Sequence, residues 1–151
     1  MKKYKIIIKE DSLEDAILVS QQIPELELGY PESEYYSRLK NINNLTLIAY
    51  IKNKPVGFKI GYETYSKQYF YSWMGGVLPK YRQSGIATSL MDFQEQWATK
   101  SRYKRIIVKT RTKHTTMIKF LLKHQFIQIG VIPFCPEAET RIIYEKKLNL
   151  L

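Results

Sequence analysis

Apolar and polar positions alternate along LTLIAYIKN (45–53), VGFKIGYETY (56–65) and QYFYSWMGGVL (68–78). Period two is the signature of half-buried strands, and short polar turns at Asn53-Lys54-Pro55 and around Ser66 and Lys67 join the three into an antiparallel unit. Upstream, residues 3–9 read as a first strand. Ser12, followed three residues later by Asp15, resembles a helix N-cap, and Leu13, Ala16, Ile17 and Val19 supply an apolar face to about residue 23. Pro24, Gly29 and Pro31 break that helix, and a second short one is expected from Glu34 to Ile42.

Downstream the period changes. Ile86, Leu90, Phe93 and Trp97 recur at the spacing of one helical face, RIIVKT (105–110) is a short buried strand, and Met117, Ile118, Leu121 and Leu122 mark another helix ending before Phe126. Residues 126–132 and 140–148 close the chain as two strands, with FCPEAE as the loop between them. The order is β-α-α-β-β-β-α-β-α-β-β, and a strand reached through a helix implies one parallel pairing. This is an α+β domain, 1–151, with a mixed, mostly antiparallel sheet of about seven strands flanked by about four helices.

Composition adds a charge question. The net charge is +10, yet residues 10–34 carry eight acidic side chains and no Lys or Arg, while residues 100–113 carry seven basic ones. Such runs are either solvated faces or an uneven field, acidic where a cationic group approaches and basic where an anion lies. The single Cys135 can form no internal disulfide, which fits the cytoplasm, and the apolar run near the start is too short for a signal peptide or a membrane span.

The segment VLPKYRQSGIATSL (77–90) carries the chemistry. A strand ends, a basic turn holding Lys80 and Arg82 comes next, and a helix begins just past Gly85. A helix start offers unpaired N–H groups and partial positive charge, so this turn is suited to phosphate oxygens. Neither G-x-x-x-x-G-K-[ST] nor G-x-G-x-x-G is present, so it is not one of those two phosphate loops.

Val77, Pro79, Tyr81, Arg82, Gly85, Ile86, Ala87 and Leu90, read as V-x-P-x-Y-R-x-x-G-I-A-x-x-L, resemble the acetyl-CoA signature of the GNAT superfamily of N-acetyltransferases. The order of elements over residues 3–148 is similar to that fold as well. The resemblance implies that Val77, Leu78, Pro79, Arg82, Gln83, Ser84, Gly85, Ile86, Ala87 and Thr88 bind acetyl-CoA, with backbone N–H groups of residues 83–88 around its pyrophosphate. It also implies that the fourth and fifth strands splay apart and that Gly75 to Val77 pair with the pantetheine arm. A backbone N–H at Gly75 would then stabilise the oxyanion of direct acetyl transfer to a primary amine, with no covalent enzyme intermediate. One family feature is altered: counting back from Phe126, the tyrosine that protonates the leaving thiolate is replaced by Leu121, the glycine by Gln125 and the helix-start Asn by His114, with Thr112 as the alternative for that last position.

For the acceptor, Glu63 is the carboxylate of the central sheet, either a general base or an edge residue paired with a lysine. Tyr30, Tyr35 and Trp73 are candidate acceptor residues, the tyrosines lying in PELELGYPESEYY, whose four glutamates suit a cationic amine such as a polyamine-like molecule or a peptide amine. No metal site is expected, and Cys135, in a Pro-flanked loop, is not expected to act as a nucleophile. A non-catalytic acyl-CoA sensor of the same fold is the alternative function. Membrane association is not expected, and a homodimer stays open. Nucleic-acid binding through residues 101–113 is disfavoured, because half of that basic run falls in a buried strand.

Overall fold

The computed structural model describes residues 3–26, 29–64 and 66–149. Its seven strands are β1 (Ile7–Glu10), β2 (Asn44–Ile51), β3 (Lys54–Glu63), β4 (Tyr69–Val77), β5 (Arg105–Arg111), β6 (Ile127–Ile132) and β7 (Arg141–Lys147). The helices are α1 (Leu13–Ser20), α2 (Glu32–Leu39), α3 (Ile86–Lys100) and α4 (Thr115–Lys123). One sheet holds all the strands in the order β1-β2-β3-β4-β5-β7-β6, and only β4 and β5 pair in parallel. The expected order of elements is the observed one. Among the described residues no helix is long and apolar enough to cross a membrane.

Local chemistry sets the boundaries. The Ser12 hydroxyl accepts from the Asp15 N–H at 3.2 Å and starts α1 as read from the sequence. α2 begins and ends earlier than expected, because Pro31 occupies its N-cap and Asn41, at φ 59°, turns the chain into the left-handed region just past its end. β1 is shorter than its apolar pattern, pairing with β2 only over Ile7–Glu10.

Each face of the sheet carries its own apolar core. Ala16, Ile17 and Val19 of α1 and Tyr35 and Leu39 of α2 pack on Ile48, Phe58, Ile60 and Trp73. On the other face Ile86, Leu90, Met91 and Ala98 of α3 and Leu121 of α4 pack with Leu45, Leu47, Phe70, Val77, Ile106 and Val108. Burying each such Leu or Ile contributes about 1.5–3 kcal/mol before entropy is counted.

One irregularity interrupts the pairing of β3 with β4. Ile60 pairs with Met74 but Gly61 pairs with Ser72, so Trp73 is the extra residue of a β-bulge. The bulge reverses the alternation that the sequence suggests after Trp73: Met74 packs with Trp73 on the α1/α2 face, while Val77 joins the α3/α4 core. Next to it, a Cβ on Gly61 would lie 2.3 Å from Phe70 Cε2 and 2.9 Å from the Tyr71 carbonyl oxygen. Phe70 fills that space and packs at a tilt against Trp97 and Tyr103, ring centres 5.1 and 5.2 Å away. Gly61→Ala is therefore expected to cost about 1–3 kcal/mol through overpacking, read as a lower denaturation midpoint in urea; an unchanged midpoint would mean that the bulge can relax.

Candidate active site

β4 and β5 stay together for three residue pairs, Tyr69–Arg105, Phe70–Ile106 and Tyr71–Ile107, and then part. From there β4 pairs only with β3, and β5 only with β7. The facing edges of this fork carry backbone N–H and C=O groups without a strand partner, a template for another extended chain. Gly75 and Gly76 lie on one prong; a Cβ on Gly76 would meet Ile23 on the α1/α2 face, and one on Gly75 would meet Lys59 on the opposite face.

At the end of that prong the chain makes a short 3-10 turn, Pro79–Tyr81, and enters α3 through two left-handed residues, Gln83 at φ 59° and Gly85 at φ 87°. Gly85 is the N-cap of α3 and has no side chain to cap it, so donors of the first turn are left for another acceptor. A Cβ on Gly85 would meet no atom within 4 Å, so the space above this helix start is open. Val77, Leu78 and Ile86 are buried and anchor the turn, Ala87 is exposed, and the Ser84 hydroxyl donates to the Tyr81 carbonyl. Thr88 Oγ1 lies 3.4 Å from His124 Nε2 at the end of α4. The Arg82 Nε donates to the Val77 carbonyl at 3.1 Å and its guanidinium pairs with Glu25 at 2.8 Å. The side chain ties the turn to the segment after α1.

On the α1/α2 face the three expected acceptor residues come together. Trp73 lies 5.2 Å from Tyr30 and 5.1 Å from Tyr35, ring centre to ring centre, and Tyr62 packs edge-on at 5.9 Å. Tyr30 and Tyr35 also line a cavity of about 320 Å³ between α1 and α2, with Ile17, Ser20 and Glu32. Of the four glutamates in PELELGYPESEYY, Glu32 lines this cavity with no ion pair among the described residues. Glu25 is held by Arg82, Glu34 pairs with Arg38 at 2.8 Å, and Glu27 lies outside the described residues. Arg38 also sets its guanidinium 4.7 Å from the Tyr30 ring and 4.5 Å from Trp73. Burial opposes its charge, but Glu34 and the Tyr62 hydroxyl outweigh that and raise its pKa.

Glu63 stands apart. It pairs with Phe70, four residues along β3 from Lys59, which is about 13 Å at strand rise, and its carboxylate accepts from Tyr103 at 3.0 Å and Asn43 at 3.4 Å. Burial, then that carboxylate, pushes the Tyr103 hydroxyl up to about 12. In place of the lysine partner considered from the sequence, Glu63 has the Tyr103 hydroxyl and the Asn43 amide as its donors, at the closed end of the fork. Leu121 is fully buried in the α3/α4 core, Thr112 donates to the Glu137 carbonyl at 2.9 Å, and Cys135 is exposed in the β6–β7 connection. His114 is the N-cap of α4, its pKa lowered by burial and then by Lys113 and Arg111. Among the described residues no group of three or more His, Cys, Asp or Glu could hold a metal.

Two polar residues escaped the sequence reading, Lys59 beside Gly75 and Gln94 on α3. Lys59 Nζ lies 3.7 Å from where a Cβ on Gly75 would be, and burial lowers its pKa to about 8 against the pull of Glu95. Gln94 of α3 is fully buried with neither side-chain nitrogen nor oxygen bonded. The available signal was a lysine between two glycines inside an apolar strand, Gly57-Phe58-Lys59-Ile60-Gly61, and a glutamine on the apolar stripe of α3.

A chain threaded along the fork, with an anion at the helix start, is what an acyl-coenzyme A requires: an amide-bearing arm and a pyrophosphate. The fold and site define an acyltransferase class. The model of the Acetyltransferase (GNAT) family matches residues 11–126, and the chain belongs to that family. No curated protein matches the chain in sequence. Among solved structures, Ard1 from Thermoplasma volcanium is 18% identical, with a TM-score of 0.79 over 95% of this chain and 98% of that one. The ribosomal-protein-S18-alanine N-acetyltransferase from Escherichia coli is 15% identical, with a TM-score of 0.78 over 97% and 96%. An aminoglycoside 6'-N-acetyltransferase complexed with coenzyme A is 18% identical, with a TM-score of 0.75 over 96% and 98%. At these identities the structures share the fold.

The placement of Lys59 has a measurable consequence. Its folded-state pKa of about 8 lies below the usual 10.5, so the folded protein gives up this proton more readily than the unfolded chain. Rising pH between those values favours the folded state. Lys59→Met is expected to stabilise the protein at pH 7, and this advantage shrinks as pH rises from about 8 to 10.5 in denaturation series. A pH-independent difference would contradict the burial of the ammonium. Glu63→Gln, in turn, is expected to leave the pH–rate profile of any amine acetylation unchanged; loss of its acidic limb would return Glu63 to the role of base.

Proposed function

We propose that the protein is an acetyl-CoA-dependent N-acetyltransferase that moves the acetyl group directly to a primary amine. The observation that carries this reading is the fork between β4 and β5 ending at the uncapped, left-handed start of α3. Bound there, acetyl-CoA supplies an activated acyl carbon. The chain's own contribution is positional: unpaired edges of β4 and β5 orient an extended arm, amides of residues 83–88 accept its anion, and a backbone N–H at Gly75 is the oxyanion donor. Direct transfer is supported by the exposed position of Cys135, which leaves the fork without a thiol nucleophile among the described residues. The aromatic group of Trp73, Tyr30 and Tyr35 beside the fork is the acceptor side. A cytoplasmic location is part of the proposal, resting on the single free cysteine.

A sensor reading draws on one observation, the apolar, buried Leu121 at the position where the resemblance implies a proton donor. Turnover separates the two. Gly85→Glu places a carboxylate in the open space above α3 and is expected to abolish acetyl-CoA binding in calorimetric titration while the circular dichroism spectrum is kept. Retained micromolar affinity would contradict the cradle. With the wild-type protein, acetyl-CoA-dependent thiol release with an amine supports the enzyme; tight binding without release across a broad amine panel supports the sensor.

A further inference from the structure

The acceptor side of the fork has a surplus of cations and of hydrogen-bond donors. Tyr71 and Ile107 form the last pair before the strands part, with Trp73 just beyond on one prong and Lys109 just beyond on the other. Lys109 Nζ lies 5.2 Å from the centre of the Tyr71 ring, and Tyr71 and Tyr62 pack edge to face at 5.4 Å. Arg38 reaches the same group, donating to the Tyr62 hydroxyl at 3.1 Å while it lies against Tyr30 and Trp73. Arg141, at the start of β7, pairs with Arg111 and so shares the sheet face of Lys109, with its guanidinium 5.4 Å from the centre of the Phe134 ring. Burial, then Tyr62 and Tyr30, push the Tyr71 hydroxyl up to about 12, and the charges of Arg38 and Arg141 both pull it down.

The compensating charge is incomplete. Glu34 neutralises Arg38, and Glu139 is committed to Arg111 at 3.1 Å and Lys113 at 2.6 Å. Among the described residues neither Lys109 nor Arg141 has a carboxylate within 4.0 Å. Trp73 is 8% exposed, and its indole N–H is buried with no acceptor. A buried donor without an acceptor is costly, and the free cations Lys109 and Arg141 on the same face of the sheet favour a ligand that brings anionic oxygens. A polycationic amine would meet repulsion here.

We propose that the acceptor amine carries an anionic group, a carboxylate or phosphate within a few bonds of the nitrogen, held by Lys109, Arg141 and the Trp73 N–H. This rests on the N-acetyltransferase reading and narrows its substrate class from amines in general to amino acids and similar anionic amines. Arg38, already balanced by Glu34, shapes the aromatic wall against which that group lies.

The test measures binding apart from turnover. Matched probes are titrated calorimetrically into the protein with and without coenzyme A: L-lysine against 1,5-diaminopentane, L-phenylalanine against 2-phenylethylamine, and O-phosphoethanolamine against ethanolamine. In at least one pair the anionic member is expected to bind about 10-fold or more tightly, whichever pair responds telling carboxylate from phosphate. That preference collapses in Lys109→Gln and Arg141→Gln, both changes at side chains with solvent access. Equal or tighter binding of the neutral-tailed or dicationic member in every pair, no binding by any anionic probe, or a preference untouched by both variants overturns the proposal. Failure of coenzyme A itself to bind contradicts the acetyltransferase reading instead, since the titrations without it still report the anion preference.

Discussion

Two strands that run parallel for three residue pairs and then separate leave backbone groups facing each other across a gap, and the site depends on that separation. Each prong is held from its far side. β5 is paired to β7 over all its seven residues, and β4 continues along β3, so the gap does not close by sliding. The bulge at Trp73 adds local twist to β4 where it leaves β5. It also turns Gly75 to one face and Gly76 to the other, leaving small residues along the prong that faces the gap. The helix start at Gly85 then lies at the end of the same prong, so an arm and an anion are accommodated by consecutive pieces of chain.

Charge is distributed by use rather than by sequence block. The acidic segment after α1 looks like an entrance for cations when read linearly, yet folding assigns Glu25 to Arg82, Glu34 to Arg38 and Glu14 to the Tyr36 hydroxyl. On the α1/α2 face beside the fork, Lys109 of β5 and Arg141 of β7 have no carboxylate partner among the described residues. The Glu25–Arg82 pair also joins the acceptor-side segment to the turn before α3, so the two halves of the site share an ion pair. Being exposed, that pair contributes little to stability, and its value is in positioning.

Most of the architecture was legible because period and punctuation agree. Three alternating segments with short turns give β2, β3 and β4, and the spacing from Ile86 to Trp97 gives α3. The turn before α3 was legible because a strand end, a basic turn and the start of an apolar helical stripe follow one another, and Gly85, at φ 87°, is the residue at that helix start. The bulge was not legible: alternation counts residues, and an inserted one leaves no mark in the sequence until a partner strand is known. For the same reason Glu63 read as a central carboxylate, although register places it at the closed end with Tyr103. Arg38 and Lys109 were invisible as site residues because ion pairing and cross-strand neighbours, which decide which charge is free, are set by the tertiary fold.

Backbone amide shifts recorded by NMR during titration with coenzyme A test the fork most directly. Saturable shifts are expected, concentrated in residues 72–77 of β4, 83–88 at the start of α3 and 108–111 of β5, with residues of β1 and β6 unmoved. No shift, or shifts confined to surfaces away from β4, β5 and the start of α3, would contradict the fork as the coenzyme site.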